Sequence, residues 1–326
     1  MSRFTWDRAV IVLLVATFAV GAVLDPNFAS GSNLGFVIQD IGEIMLIALP
    51  MTLLIMTGEI DLSVASTAAL AGCVLGWTWR ESGSMAVAVV AALATGVVCG
   101  SVNGFLVTRL GLGSLAVTIG SLGLYRGLCY ALLGDSTVAD FPTGWTDLGY
   151  STIPGTSLPY VAPVLVAFAV AFGVLLHLTR TGRWLFAIGQ SAEAARFAGI
   201  PVARLKFWLF VTTGAVSGLA GIVYDLRFAS ARPDGALGFE LAVIASVLFG
   251  GVSIFGGVGT MWGVAGAVLF LGSVRSLLQL RNVPPNALTI VTGGLLLGSV
   301  VVPVLAARLQ AYREQHASDV PPAAPP

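Results

Sequence analysis

Acidic and hydroxyl side chains lie in two glycine-rich interruptions of an otherwise apolar chain. The first runs from Thr57 to Ser63 and contains Glu59 and Asp61, and the second runs from Phe249 to Thr260 and contains Ser253. Non-helical backbone at membrane depth is tolerated only where protein buries it or where it lines a water-filled path, because lipid cannot satisfy free N–H and C=O groups. Paired glycine interruptions also point to a transport site. We therefore predict that both interruptions contribute to a translocation path.

The carboxylates of the first interruption also have simpler interpretations. Asp61 precedes Leu62-Ser63 and could be the N-cap of the next helix. Glu59 and Asp61 could equally belong to an ordinary turn between adjacent spans. These alternatives stay open at the level of sequence.

Further ionisable residues fall at or near membrane depth, where they are costly and usually face the interior of a bundle. They are Asp40, Glu43, Arg126, Asp225, Glu240 and Arg275. Such groups could hydrogen-bond a saccharide, or they could form a proton or ion relay. These residues alone do not distinguish the two functions.

The elements that position these residues must be membrane helices. Hydrophobic residues make up 56% of the 326 positions and charged residues only 10%, whereas a soluble domain carries about 25% charged residues. Basic and acidic residues balance at 16 each, so no net basic field would attract nucleic acid. Cys73, Cys99 and Cys129 lie in apolar runs without the spacing of metal ligands.

The hydropathy pattern predicts an all-α, polytopic membrane helix bundle of about ten transmembrane segments, two of them interrupted. About 20 mostly apolar residues are needed for each span. The segments are Ala9 to Leu24, Phe36 to Met56, Leu62 to Trp79, Ala86 to Thr108, Ser114 to Leu133, Tyr160 to Leu178, Phe207 to Asp225, Phe239 to Gly251, Thr260 to Leu278 and Ala287 to Ala307. The first is predicted to be a retained span, because it has no A-x-A-like cleavage pattern.

Loop charges orient the bundle. The loop from 180 to 206, called the basic loop below, carries four arginines and the only lysine of the chain, Lys206, against the single acid Glu193. Because cytoplasmic loops are enriched in Lys and Arg, we place this loop and both termini in the cytoplasm. The permease domain is predicted to span residues 1–312, and residues 313–326 are predicted to form a disordered cytoplasmic tail, since they are polar and then proline-rich.

The basic loop contains an alanine-rich stretch that predicts a short helix ended by Gly199-Ile200-Pro201. A helix this short is marginal alone in water. It would be more stable in a groove of a partner protein. The loop therefore predicts a docking site.

Several motifs together resemble those of one transporter family. They are Gly58-Glu59-Ile60-Asp61-Leu62-Ser63-Val64, Asn103-Gly104-Phe105-Leu106-Val107, Ser121-Leu122-Gly123-Leu124-Tyr125-Arg126-Gly127, Gly182-Arg183 with Ala187-Ile188-Gly189 and Ala194-Ala195-Arg196, and Gly238-Phe239-Glu240-Leu241 with Phe249-Gly250-Gly251-Val252-Ser253-Ile254-Phe255-Gly256-Gly257. The chain resembles the permeases of the ribose, rhamnose and autoinducer-2 class of ATP-binding cassette (ABC) importers, with most likeness to the rhamnose and autoinducer-2 branch. Glu59 and Ala65 depart from common glycines of this family, and Ser273-Val274-Arg275-Ser276 departs from its usual Asn-Gly-type stretch.

The resemblance implies a type II ABC importer-like permease in the cytoplasmic (inner) membrane. It would pair with a second permease, identical or related, and with two ABC ATPase subunits that bind ATP and Mg²⁺. It would receive a monosaccharide or sugar-like solute, such as rhamnose, ribose or autoinducer-2, from an extracytoplasmic sugar-binding protein.

The interruptions and the resemblance together give two sets of candidate residues. The translocation path is predicted to include Glu43, Gly58, Glu59, Asp61, Ser63, Asn103, Glu240, Gly250, Gly251, Ser253, Gly256 and Gly257. Contact with the ATPase is predicted for Gly182, Arg183, Ala187, Ile188, Gly189, Glu193, Ala194, Ala195, Arg196, Gly199 and Ile200.

The sequence also limits the chemistry. It contains no GxxxxGK[ST] phosphate-binding loop, so we expect no ATP hydrolysis, no cofactor and no enzymatic activity in this chain. The alternatives are an ion-coupled secondary transporter using Glu43, Glu59, Asp61 or Glu240, and, less in keeping with the residues present, a membrane-embedded enzyme. The solute and the choice between two identical permeases and a mixed pair remain open.

Overall fold

The computed structural model describes residues 3–284, together with residues 287, 290, 293–294, 297–298 and 301. This part of the chain forms thirteen helices and no strand, with isolated bridges at Val138–Ala231 and Thr152–Pro159. The helices are α1 (Arg3–Leu24), α2 (Gly31–Asp40), α3 (Gly42–Met56), α4 (Val64–Ser82), α5 (Met85–Thr108), α6 (Ser114–Leu133), α7 (Thr143–Tyr150), α8 (Val161–Leu178), α9 (Arg180–Gln190), α10 (Ala192–Phe197), α11 (Val202–Arg227), α12 (Phe239–Phe249) and α13 (Met261–Leu280).

Six of these helices, α1, α5, α6, α8, α11 and α13, are long and apolar enough to cross a membrane. The bent pair of α2 and α3 would make a seventh span. Helices α4 and α12 also lie where segments were predicted, but Arg80 and Glu81 at the end of α4 lower its hydropathy, and α12 has only 11 residues. Each predicted segment up to Leu278 thus contains a helix, which confirms the all-α membrane bundle. The tenth predicted segment is described only at isolated positions, and the tail at 313–326 lies outside the described residues.

Helix α3 is the centre of the bundle. Nearly every residue of this helix is buried, and it packs against α8, α11, α12 and α13. A helix that is apolar all round belongs inside a large protein or a membrane bundle. Helix α1, in contrast, exposes much of its apolar surface and packs mainly against α13. The buried α3 therefore positions the residues around its start and the residues that come after its end.

Glycines bring α5 and α11 into direct backbone contact. A Cβ atom at Gly96 would lie 3.0 Å from the Cα of Gly218, and one at Gly100 would lie 3.1 Å from the Cα of Gly214. Small residues at four-residue spacing allow such close approach in membranes. These glycines therefore allow α5 and α11 to pack closely.

The second predicted segment contains a bend that its sequence did not reveal. Helices α2 and α3 meet at Ile41 with an angle of 50°. The bend places Asp40 and Glu43 beside the last turn of α11, where Arg227 contacts both carboxylates. The ion pairs with Arg227 thus join the residues on either side of the bend to α11.

Candidate functional site

The two glycine-rich interruptions meet each other and the basic loop. The N–H of Gly257 donates to the carbonyl of Met56 over 3.0 Å. A Cβ at Gly256 would lie 3.0 Å from the Cα of Gly189 and 3.1 Å from the N of Gly58. We call Gly58, Gly189, Gly256 and Gly257 the glycine junction. It joins the ends of α3 and α9 to the segment between α12 and α13.

The backbone of the glycine junction needs glycine. Gly58, Gly256 and Gly257 have φ values of 79°, 86° and 71°, which lie in the left-handed region where side chains are disfavoured. At Gly256 and Gly257 a side chain would also crowd neighbouring backbone, as it would at Gly189. The two interruptions thus pack together against the basic loop. This contact was not predicted from the sequence.

Asp61 lies in a buried hydrogen-bonded cluster. Its Oδ1 accepts from the backbone N–H of Ser63 over 2.8 Å and lies 2.6 Å from the Ser63 hydroxyl, which donates to it. Asn103 donates from Nδ2 to the same hydroxyl oxygen over 2.8 Å. The Asn103 Oδ1 accepts from Ser121 over 2.6 Å and from Tyr125 over 3.3 Å. We call Asp61, Ser63, Asn103, Ser121 and Tyr125 the Asp61 network.

The Asp61 network links the first interruption to three helices. Ser63 precedes α4, Asn103 lies on α5, and Ser121 and Tyr125 lie on α6. The backbone of Ile60 is held as well, since its N–H donates to the Ser114 hydroxyl and its carbonyl accepts from Thr118, each over 3.3 Å. The structure thus brings together three predicted path residues, Asp61, Ser63 and Asn103.

The N-cap interpretation of Asp61 is wrong in its position. Helix α4 begins at Val64, so Ser63 occupies the N-cap, and Asp61 binds the N–H of Ser63 from two residues earlier. This is a local turn that fixes the entry to α4. Such side-chain to backbone bonds are what short acidic residues provide at turns.

Glu59 lies apart from the Asp61 network and forms an ion pair with Lys206. Both side chains are largely buried, with exposed fractions of 15% for Glu59 and 14% for Lys206. Lys206 lies in the first part of α11, next to the end of the basic loop. Glu59 therefore connects the first interruption to α11.

Glu43 belongs to a second charged cluster at the other end of α3. Arg227 lies 3.2 Å from a carboxylate oxygen of both Glu43 and Asp40 and donates to the carbonyl of Gln39 over 3.0 Å. Arg275 reaches Asp40 over 3.6 Å. We call Asp40, Glu43, Arg227 and Arg275 the Arg227 cluster. Helix α3 has 15 residues and is therefore about 22 Å long; the Arg227 cluster lies at its start, whereas the Asp61 network follows its end.

The structure therefore does not bring Glu43 to the other predicted acids. Glu240 also lies apart from them, half-buried in the first turn of α12. Arg126, singled out for its depth, donates to the carbonyls of Pro233 and Gly235 over 2.6 and 2.9 Å and so anchors the loop after α11. Arg227 was not predicted as a cluster residue. Its only signal in the sequence is its place at the end of an apolar segment.

The second interruption is a compact turn held by α1. The indole N–H of Trp6 donates to the carbonyl of Phe249 over 2.8 Å, and Trp6 covers the α-carbon of Gly251. Ser253 closes the turn, since its N–H donates to the carbonyl of Val258 over 2.9 Å. The side chain of Phe255, at the tip, is 88% exposed. The contact with α1 was not predicted.

The basic loop folds as two helices. The predicted short helix is α10, and Gly199, with φ at 79°, ends it as expected. The residues before it form α9, and Ser191 separates the two by adopting extended backbone and accepting from the N–H of Ala194 over 3.1 Å. Since a side-chain oxygen at an N-cap satisfies a free N–H, Ser191 explains why one continuous helix does not form.

The predicted docking residues divide into three groups by their burial. Gly182, Ile188 and Ala195 are buried; Ile188 and Ala195 form a small apolar core with Val202, so these three residues hold the helices to the bundle. Ala187, Gly189 and Ile200 are partly buried. The exposed members are Arg183, Glu193, Ala194, Arg196 and Gly199. Phe197, which was not predicted, is 86% exposed beside them.

Comparisons with known proteins agree with the resemblance drawn from the motifs. Residues 33–300 match the family described as the permease component of the branched-chain amino acid transport system. The L-arabinose transport system permease protein AraH of Escherichia coli (strain K12) is 37% identical over 300 residues, which cover 91% of this chain and 90% of that protein. The autoinducer 2 import system permease protein LsrD of Photorhabdus laumondii subsp. laumondii is 33% identical over 308 residues, which cover 92% and 91%.

LsrD of Yersinia enterocolitica is 32% identical over 305 residues, which cover 92% of each chain. No solved structure matches the chain. The similarity to these permeases extends over about nine tenths of the chain, and the family match at residues 33–300 spans both interruptions and the basic loop. The chain therefore belongs to the family of permease components of the branched-chain amino acid type of transport system.

Proposed function

We propose that this chain is the membrane-spanning subunit of an ABC importer for a monosaccharide or a sugar-like solute. The observation that carries the proposal is the 37% identity to an L-arabinose permease over about nine tenths of both chains. The relatives named for autoinducer 2 support a small polar solute of the same kind. The family description names branched-chain amino acids, but these relatives are named for other solutes.

Energy for import comes from other subunits, because the sequence has no GxxxxGK[ST] loop. Two ABC ATPase subunits bind ATP and Mg²⁺, and one of them docks on the exposed face of α9 and α10. Phe197 supplies an apolar anchor there, and Arg183 and Arg196 supply charge. An exposed aromatic side chain among basic residues has the composition of an interface centre.

The path for the solute runs beside the Asp61 network, between this chain and a second permease. The side chains of the network are buried and hydrogen-bonded to one another, so the network holds the first interruption in place beside the path. The glycine junction links this interruption to α9. Tilting of α9 and α10 by the ATPase subunits would thereby move the first interruption and open the path alternately to each side.

The orientation follows from the loop charges. The basic loop and both termini lie in the cytoplasm, and an extracytoplasmic sugar-binding protein delivers the solute to the end that carries the Arg227 cluster. The chain lies in the cytoplasmic membrane. Residues 1–312 form the permease domain, and residues 313–326 form a cytoplasmic tail.

The solute class is tested with the cognate binding protein, because it selects the solute before the permease does. Purified binding protein is titrated with radiolabelled L-arabinose, ribose, rhamnose and autoinducer 2, and with leucine as the amino-acid comparison. Saturable binding of one of the four sugar-like solutes, without leucine binding, supports the proposal. Selective binding of leucine would contradict it.

The docking face is tested by a crosslink from an Ala194→Cys variant to the ATPase subunit. The variant is placed in the complete complex, and the three native cysteines of this chain are buried. Leu237→Cys, on the exposed loop before α12, is the control, since Leu237 is 69% exposed and lies outside the basic loop. A crosslink at Ala194 alone supports the proposed face. A complex that transports without any crosslink at Ala194 would refute it.

A further inference from the structure

We propose that the ion pair between Glu59 and Lys206 transmits movement of α9 and α10 to the Asp61 network. The inference rests on the proposed function, because it assigns a positioning role to two residues within the same transport cycle.

Lys206 moves with the basic loop. It lies about one helical turn after Val202. Val202 packs with Ile188 of α9 and Ala195 of α10 in one small apolar core. Leu205, its neighbour, packs against the same core. A displacement of α9 and α10 therefore carries the ammonium group of Lys206 with it.

Glu59 moves with the Asp61 network. Ile60, the next residue, is hydrogen-bonded through its backbone to Ser114 and Thr118 of α6. Asp61 follows and binds Ser63, which in turn binds Asn103. A displacement of the Glu59 carboxylate is therefore transmitted to Ile60, the next residue, whose backbone hydrogen bonds hold the first interruption in place.

The burial of the pair favours a tight connection. The exposed fractions of 14% and 15% mean that neither charge is well solvated when its partner moves away, so the two groups are expected to move together. An exposed ion pair would be screened and easily replaced by water. The Glu59–Lys206 pair therefore connects α9 and α10 mechanically to the Asp61 network, in addition to the backbone contact at the glycine junction.

The test compares Glu59→Gln, Lys206→Gln and the exchanged pair Glu59→Lys/Lys206→Glu in the reconstituted complex. The readout is the number of solute molecules transported per ATP hydrolysed, measured with the sugar that the binding-protein titration selects. The control is Glu81→Gln, which breaks the exposed pair with Arg80 at the end of α4. Each single variant is expected to transport at least about fivefold less solute per ATP, as expected for loss of a coupling between sites, while ATP hydrolysis persists.

The exchanged pair is expected to recover most of the coupling, and the control is expected to match the unsubstituted complex. Single variants that transport as much solute per ATP as the unsubstituted complex would overturn the proposal. So would an exchanged pair that stays as uncoupled as the singles.

If the single variants do not assemble, recovery of assembly and transport by the exchanged pair supports the proposed role of the Glu59–Lys206 ion pair. Lack of recovery counts against that role. An unsubstituted complex that shows no ATP-driven sugar transport would instead refute the proposed function.

Discussion

Replacement of Arg227 by methionine should destabilise the protein strongly, because it leaves Glu43 without its basic partner and leaves Asp40 with only Arg275. Glu43 is the critical one, since its side chain is only 1% exposed. Arg227 also holds Asp40 and the carbonyl of Gln39. Removing one member of a buried ion pair costs about 3–5 kcal/mol, because the remaining charge is buried and uncompensated. We therefore expect Arg227→Met to lower the free energy of unfolding by about 3–5 kcal/mol.

The double variant Arg227→Met/Glu43→Gln separates the loss of the pair from the cost of an unpaired charge. Replacing both buried partners by neutral groups is often close to neutral, so the double variant should be more stable than Arg227→Met alone. The matched control is Arg232→Met, since Arg232 pairs with Asp234 at the surface with exposed fractions of 55% and 49%. It should change stability by less than about 1 kcal/mol.

The assay is reversible unfolding of the purified permease in detergent micelles, followed by helical circular dichroism. The expected order of stability is the control, then the double variant, then Arg227→Met. An Arg227→Met variant within 1 kcal/mol of the control would refute the reasoning, as would a double variant no more stable than the single one.

Three further substitutions test the packing and the sites. Asn103→Ala removes the centre of the Asp61 network, and the same unfolding assay should show a loss of about 1–3 kcal/mol; an unchanged protein would mean that the buried hydroxyls find other partners. Gly214→Leu should prevent folding or cost several kcal/mol, because a Cβ at this position would lie 2.7 Å from the Cα of Gly100. The control Gly120→Leu should be tolerated, since a Cβ there meets nothing within 4 Å. Equal yields of folded protein from the two variants would refute this packing. Phe197→Ser should weaken binding of the ATPase subunit about tenfold in a surface-binding assay, and Leu237→Ser should leave it unchanged; equal affinities would remove Phe197 from the docking face.

The helices could be predicted from the sequence because their signals are local. Long apolar runs, such as that of α5, are sufficient in membranes, where every backbone group must be satisfied within the helix. Glycine and proline marked the ends, and Gly199 ended α10 as expected. The first interruption was placed correctly for the same reason, since Gly58 lies in the left-handed region there.

The contacts between distant segments could not be predicted in this way. Glu59 and Lys206 are 147 residues apart, and no periodic pattern links opposite charges at that separation. The glycine junction has the same cause, since Gly189 and Gly257 come together only when α9 and the second interruption pack on the end of α3. The contacts of Asp40 and Glu43 with Arg227, on either side of the bend at Ile41, are likewise long-range.

The grouping of candidate path residues was partly wrong for a geometric reason. Glu43 and Asp61 are both carboxylates near the second predicted segment, so both were predicted to line the translocation path. The structure places Glu43 in the first turn of α3 and Asp61 after its last turn, in different clusters. Asn103, in contrast, was included through the resemblance alone, and it lies at the centre of the Asp61 network.

The central claim is that this permease is driven by ATP through partner subunits, and uptake into proteoliposomes tests it most directly. The permease is reconstituted with its ATPase subunits, binding protein and radiolabelled sugar, and uptake is measured with ATP, without ATP, and with an uncoupler that dissipates ion gradients. The account predicts uptake that requires ATP and the ATPase subunits and persists with the uncoupler. Uptake by the permease alone, driven by an ion gradient and abolished by the uncoupler, would contradict it and favour an ion-coupled transporter.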